Sequence, residues 1–143
     1  DARRAIDLLR VAAEIAERNQ TKPITDEHVR MAAQKIEENK EVVALKSYPL
    51  HEKLLIITIM KSPNISTGDV YSVYKSFCKK THQNELTQRR ITQMLSEIEL
   101  SGLISGRMVH QGIHGNTKKF NLTVPNDLVK NTLNSEPIFE DIL

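Results

Sequence analysis

Apolar and polar positions alternate with a helical period through the first third of the chain, then change character. Over 1–18, DARRAIDLLRVAAEIAER, the residues Ile6, Leu9, Ala13 and Ala16 recur along one helical face and charged residues close the stretch. That spacing predicts an amphipathic helix. Residues 19–22 and Pro23 break it. A second helix is expected from Thr25, whose hydroxyl can cap the orphan amides while Asp26 and Glu27 complement the positive end of the helix dipole. Its apolar face is Val29, Ala32, Ala33 and Ile36, its expected end is near Asn39, and 41–46 reads as a short helical bridge. Tyr48-Pro49 then marks a boundary, because the residue before proline is pushed out of the helical region.

The stretch LLIITIM is apolar on every side, so periodicity cannot separate a buried helix from a strand. A run over 49–61 with proline at its start and no strand-type turn predicts a helix. After Ser62-Pro63-Asn64, Ser66 or Thr67 can cap a helix that buries Val70, Val73, Tyr74 and Phe77. Thr87 opens another that reaches about Ser101, with Gly102 where helices commonly stop. Residues 103–109 and 117–124 read as two strands, Phe120, Leu122 and Val124 alternating in the second, joined by the Gly- and Asn-rich turn 111–116. Three helices followed by a hairpin is the element order of a winged-helix domain, which lays its third helix in the DNA major groove and its hairpin along the backbone.

Composition supports a mainly helical protein. Of 143 residues 39% are hydrophobic but only 4% aromatic, with no Trp, so the core must rest on Leu, Ile, Val and Ala. The single Cys78 excludes an internal disulfide and is compatible with a reducing intracellular compartment. The longest strongly apolar run, 54–60, is too short to span a bilayer, and no signal-peptide pattern opens the chain. A soluble, cytoplasmic and nucleoid-associated protein without a membrane partner is expected. Starting within a helix and without Met, the sequence reads as a piece of a longer chain.

Charge alters the picture more. The net +2 conceals 0 over 1–49, +5 over 50–124 and −3 over 125–143. A local cationic surplus attracts a polyanion, because neutralised phosphates release condensed counterions. On a wheel at about 100° per residue, Ile91, Met94, Leu95 and Ile98 cluster on the core side. Arg89, Gln93 and Ser96 fall opposite, flanked by Arg90 and Thr92, with Thr87 and Gln88 at the N-terminal end. Arg and Gln can make bidentate contacts to guanine and adenine. Arg107, Lys118 and Lys119 lie on the two strands close to the turn, where a wing meets phosphates. Polar residues opposite an apolar stripe are also what any surface helix shows. The coincidence with a basic hairpin favours DNA.

Other chemistry finds little support. His110 with His114, and Cys78 with His82, are spaced by four but lack the three or four converging groups of a metal site. No residue set forms a catalytic constellation.

The segments DARRAIDLLRVAAEIAER, ITDEHVRMAAQKIE, YPLHEKLLI and LTQRRITQMLSEIELSGLI resemble the C-terminal part of archaeal replication initiators. Those proteins are related to both the largest subunit of the origin recognition complex and the cell-division-cycle helicase loader. The resemblance runs over 1–124. It implies a mainly α fold in which 1–47 is the helical lid of an AAA+ ATPase and 48–124 a winged-helix domain, with 125–143 an acidic tail outside it. It further implies that Asp1-Ala2-Arg3 ends a Gly-Asp-x-Arg motif whose arginine, Arg3 here, is the sensor that reaches ATP or ADP bound with magnesium in the full-length protein. Origin duplex DNA is the implied partner, with the replicative helicase and other initiator subunits beside it. No G-x-x-x-x-G-K-[ST] loop is present and none of the five glycines precedes a lysine, so this stretch has no phosphate cradle of its own and no enzymatic activity is expected of it.

The turn Gln111-Gly112-Ile113-His114-Gly115-Asn116 departs from the arginine-bearing wing tip of such proteins. Two other readings remain: a winged helix that meets initiator or helicase subunits, and a transcription regulator. For 125–143 docking, partner binding and disorder all stay open.

Overall fold

The computed structural model describes residues 2–20 and 23–143, and of His114 only the backbone. Its elements, in chain order, are α1 (Ala2–Arg18), α2 (Asp26–Ser47), α3 (Leu50–Lys61), β1 (Ile65–Ser66), α4 (Thr67–Lys80), α5 (Gln88–Ser101), β2 (Ile104–His110), β3 (Asn116–Leu122) and α6 (Asn126–Leu133). The protein is mainly helical with one small antiparallel sheet, and it divides into two units, 1–43 and 44–143.

In the first unit α2 is capped as expected. Thr25 Oγ1 accepts from the His28 amide at 3.4 Å and His28 Nδ1 accepts from the Thr25 amide at 3.1 Å, a reciprocal capping pair with histidine where Glu or Gln is usual. The buried stripe is narrower than the expected one: Ala12, Ala16, His28 and Ala32 are inside, while Ile6 (66%) and Leu9 (58%) stay exposed. Two helices bury only their closest seam, and small residues occupy it. The expected break at 19–22 falls partly outside the described residues, as does Asp1 of the Asp1-Ala2-Arg3 motif. Instead of ending near Asn39, α2 continues to Ser47. No Gly or Pro stands between 24 and 48, so nothing interrupts it before Tyr48-Pro49.

The second unit is built around α3, buried from Glu52 to Met60. A helix that is apolar all round must be covered on all sides. Here α4, α5, the sheet and the C-terminal segment do so, around a core that includes Leu55, Ile57, Tyr74, Leu95, Ile98, Phe120 and Phe139. Ser66 caps α4, accepting from the Asp69 amide.

Two features differ from expectation. The sheet has three strands in the order β1-β3-β2, not two, because Ile65 and Ser66 pair with Phe120 and Lys119. Residues 125–143 are not an outlying tail: α6 and a helical turn at Pro137–Phe139 bury Val129, Leu133, Phe139 and Ile142 in the core. Lys53 holds both carboxylate oxygens of Glu136 at 3.1 Å, and Lys61 Nζ donates to the Leu143 carbonyl at 2.9 Å. The Lys53–Glu136 pair compensates charge that would otherwise be desolvated alone.

Candidate nucleic-acid interface

Local chemistry sets both ends of α5. Thr87 Oγ1 accepts from the Arg90 amide at 3.2 Å, and Gly102 closes the helix in the left-handed region at φ 88°, where glycine carries no Cβ penalty. Between them Ile91, Met94, Leu95 and Ile98 are buried, while Gln88, Arg89, Arg90, Thr92, Gln93 and Ser96 are exposed. The Thr92 and Ser96 hydroxyls donate back to the Gln88 and Thr92 carbonyls at 3.0 and 3.3 Å. Their oxygens remain as acceptors. The Arg90 guanidinium lies along the helix, 3.5 Å from Gln93 Oε1 and 3.9 Å from Glu97 Oε1. Arg89 beside it is exposed. Beneath α5, Glu52 of α3 has its carboxyl held above the ordinary carboxylate value by burial and then by Glu97, with Arg90 opposing.

The approach to α5 is gripped from α4 by side chains that sequence reasoning did not single out for this. Tyr71 Oη donates to the Leu86 carbonyl at 2.9 Å, and the Leu86 amide donates to Tyr74 Oη at 3.0 Å. Tyr74 Oη in turn lies 2.7 Å from His51 Nδ1. Two rings stacked at 6.0 Å thus hold both main-chain polar groups of the residue before the Thr87 cap. Burial pushes the His51 imidazole below its ordinary value and the Tyr74 phenol well above its own. Only the apolar spacing of Tyr74 pointed here; nothing in the sequence pairs His51 with it.

The hairpin does not gather its three cations on one face. Register places Arg107 opposite Lys119 and Met108 opposite Lys118, and side chains alternate along a strand. Lys118 shares the face of buried Phe120, with its Nζ 5.6 Å from that ring, and it forms an ion pair with Glu99 of α5. Arg107 and Lys119 occupy the outer face, where Arg107 Nη2 donates to Asn64 Oδ1 at 3.4 Å. The tip is internally bonded: the Gln111 amide donates to Gly115 O at 2.8 Å, and His110 Nδ1 meets Asn116 Oδ1 at 2.8 Å. Ile113 projects from it 97% exposed. In the first unit Arg3 lies on the exposed first turn of α1.

An exposed polar helix face with two arginines, set on a helix–turn–helix core and followed by a hairpin, is the winged-helix arrangement. The family model described as CDC6, C terminal winged helix domain matches residues 43–132. The chain belongs to the CDC6 winged-helix family. Ahead of that domain, the model described as Cdc6 AAA+ ATPase-type lid domain matches residues 1–34. Among relatives, an ORC1-type DNA replication protein of Cenarchaeum symbiosum is 60% identical over 143 residues, covering 100% of this chain and 35% of that protein. The structure of the Aeropyrum pernix ORC1 protein in complex with DNA matches with a TM-score of 0.89 and 35% identity, over 100% of this chain and 38% of its own. Drosophila ORC bound to DNA shares the fold at a TM-score of 0.61 and 22% identity, over 93% of this chain and 35% of its own. The chain therefore spans about a third of the length of the relatives it matches. Among the described residues no helix is long and apolar enough to cross a membrane.

Proposed function

We propose that this chain binds duplex DNA as part of a replication initiator, with α5 in the major groove and the wing on the backbone, and that the duplex it serves is a replication origin. The observation that carries the reading is the exposed face of α5. Arg89, Arg90, Thr92, Gln93 and Ser96 stand on it together while the opposite face is buried. Arg and Gln supply bidentate base contacts there, and Thr87 and Gln88 lie nearest the positive end of the helix dipole. Arg107 and Lys119 supply phosphate contacts from the outer face of the wing. The DNA-bound ORC1 relative supports the same partner.

Within the longer protein the lid would link DNA binding to ATP, with Arg3 reaching the nucleotide. An arginine on an exposed helical turn, beside Arg4, fits an accessory role toward phosphate. Contacts with the replicative helicase and other initiator subunits belong to the same proposal.

The test is a titration of this chain on origin-bearing and random duplexes over a range of salt. One phosphate each for Arg89, Arg90, Arg107 and Lys119 predicts a log–log slope of about −3.6 on random duplex, from about −0.9 per contact. Replacing Arg89 and Arg90 together by Ala should bring it to about −1.8 by the same rule. Unchanged affinity in that double variant removes α5 from the interface. A wild-type affinity that ignores salt favours a protein-docking winged helix instead, and equal affinity for origin and random duplex removes origin recognition.

A further inference from the structure

The wing and the recognition helix are tied by one ion pair whose position invites a question: what is a cation of the wing doing on a carboxylate of the helix that reads DNA? Lys118 Nζ is held by Glu99 Oε1, with the two side chains 36% and 27% exposed. The pair bridges β3 and α5, the two elements that would meet DNA together. Lys118 reaches it by lying across Gly106 of β2. A Cβ at Gly106 would run into both the Lys118 Cε and the Glu99 carboxylate oxygens. The Gly106 backbone has an ordinary strand conformation, so glycine is not needed for its φ. It is needed for the path of the lysine stem.

We propose that Glu99 is a specificity-determining residue that withholds Lys118 from DNA, acting as an internal surrogate for a phosphate. The inference rests on the duplex-binding reading above. Non-specific affinity is almost wholly electrostatic and scales with the number of phosphates neutralised. A cation already paired inside the protein gives random duplex nothing unless the duplex outcompetes a half-buried carboxylate. Base contacts from Arg89 and Gln93 are untouched by the arrangement, so the withheld charge lowers binding to random sequence while leaving the reading face intact. Arg107 and Lys119, on the other face of the hairpin, form no ion pair with a carboxylate among the described residues. Arg90 has one in Glu97, but at 3.9 Å and with both side chains about half exposed, a pair that salt and water screen readily.

Two variants release Lys118 by different chemistry. Glu99→Gln removes the competing charge. Gly106→Ala leaves the charges alone and displaces the flexible ends of Lys118 and Glu99 from one another. On random duplex each should steepen the log–log salt slope by about 0.9, giving about eightfold tighter binding at 0.1 M salt than wild type if the curves meet near 1 M. Lys118→Gln alone should leave the wild-type slope unchanged, and in the Glu99→Gln background it should cancel the steepening. That cancellation separates release of Lys118 from a general change in net charge. A melting curve for each variant confirms that it is folded, and Gly106→Ala carries the test where Glu99→Gln is not.

A Lys118→Gln variant with a shallower slope would show that Lys118 already touches DNA, and the proposal fails. So it does if the folded release variants keep the wild-type slope, while duplex binding itself stands. If wild type does not bind duplex at any salt, both readings fall together.

Discussion

Removing the Tyr74 hydroxyl should weaken the second unit more than its single oxygen atom implies. Tyr74 is fully buried, and its Oη accepts from the Leu86 amide at 3.0 Å while facing His51 Nδ1 at 2.7 Å. In Tyr74→Phe the ring stays and packing is kept, but an amide and an imidazole nitrogen lose their partner where water has little access. Each buried group left unsatisfied costs about 1–3 kcal/mol, and because both of these bonds are only partly buried the lower part of the summed range, about 2–4 kcal/mol, is expected. Tyr71→Phe is the internal reference. Its hydroxyl is only half-buried and donates to the Leu86 carbonyl, which can turn to water, for a cost of about 1 kcal/mol.

The three tyrosines, 48, 71 and 74, all lie in the second unit, so tyrosine fluorescence in urea follows that unit alone even after one is replaced. With m of about 1.5 kcal/mol/M, the Tyr74→Phe midpoint should fall by roughly 1–3 M, with m unchanged. The same variant should bind duplex more weakly at temperatures where it is fully folded, because Leu86 precedes the cap of α5. If Tyr74→Phe costs no more than Tyr71→Phe, the hydroxyl is not satisfying buried groups and the clamp has no energetic meaning.

Three further outcomes follow from the geometry. Glu52 is buried with its carboxyl raised, so the folded state holds its proton to higher pH than the unfolded one and stability is lost as pH rises above the unfolded carboxylate range. Glu52→Gln should therefore be the more stable protein in urea melts at pH 7 and converge with wild type near pH 4; a constant difference across that window refutes the charge effect. Phe139→Ala should cost about 3–5 kcal/mol, as for other fully buried aromatics, and a midpoint like that of wild type would show that the C-terminal segment does not contribute to the core. Gly102→Ala meets no atom within 4 Å of its new Cβ, so its cost is the left-handed backbone alone, about 1–2 kcal/mol by thermal melting; a neutral result means the C-cap can relax.

Most of the helices were legible because their burial is one-sided. The wheel over 88–101 separates Ile91, Met94, Leu95 and Ile98 from Arg89, Gln93 and Ser96, and the structure buries the first set and exposes the second. Where burial is decided by partners, local pattern is mute. Ile6 and Leu9 have helical spacing but are left outside a two-helix unit, and β1 is two residues long, too short to show a period. In the C-terminal segment Leu128, Val129, Thr132 and Leu133 recur at helical spacing after Pro125, a short apolar face within an otherwise acidic stretch.

The wing shows why counting charge is a weaker guide than placing it. Arg107, Lys118 and Lys119 lie on the two strands close to the turn, where a wing meets phosphates. Two adjacent residues of a strand point to opposite faces, so 118 and 119 present their charges on different sides of the hairpin, and that much follows from the strand assignment alone. What no spacing rule contains is the partner across the structure: Glu99, on the helix that carries the reading face, and Gly106, bare enough to let Lys118 pass. Of the +5 over 50–124, the part available to a duplex is thus set by internal pairing as well as by sequence. On the proposed reading, in which this chain must tell its sites from a vast excess of other DNA, a carboxylate that holds a cation back bears on specificity alongside the arginines that reach forward.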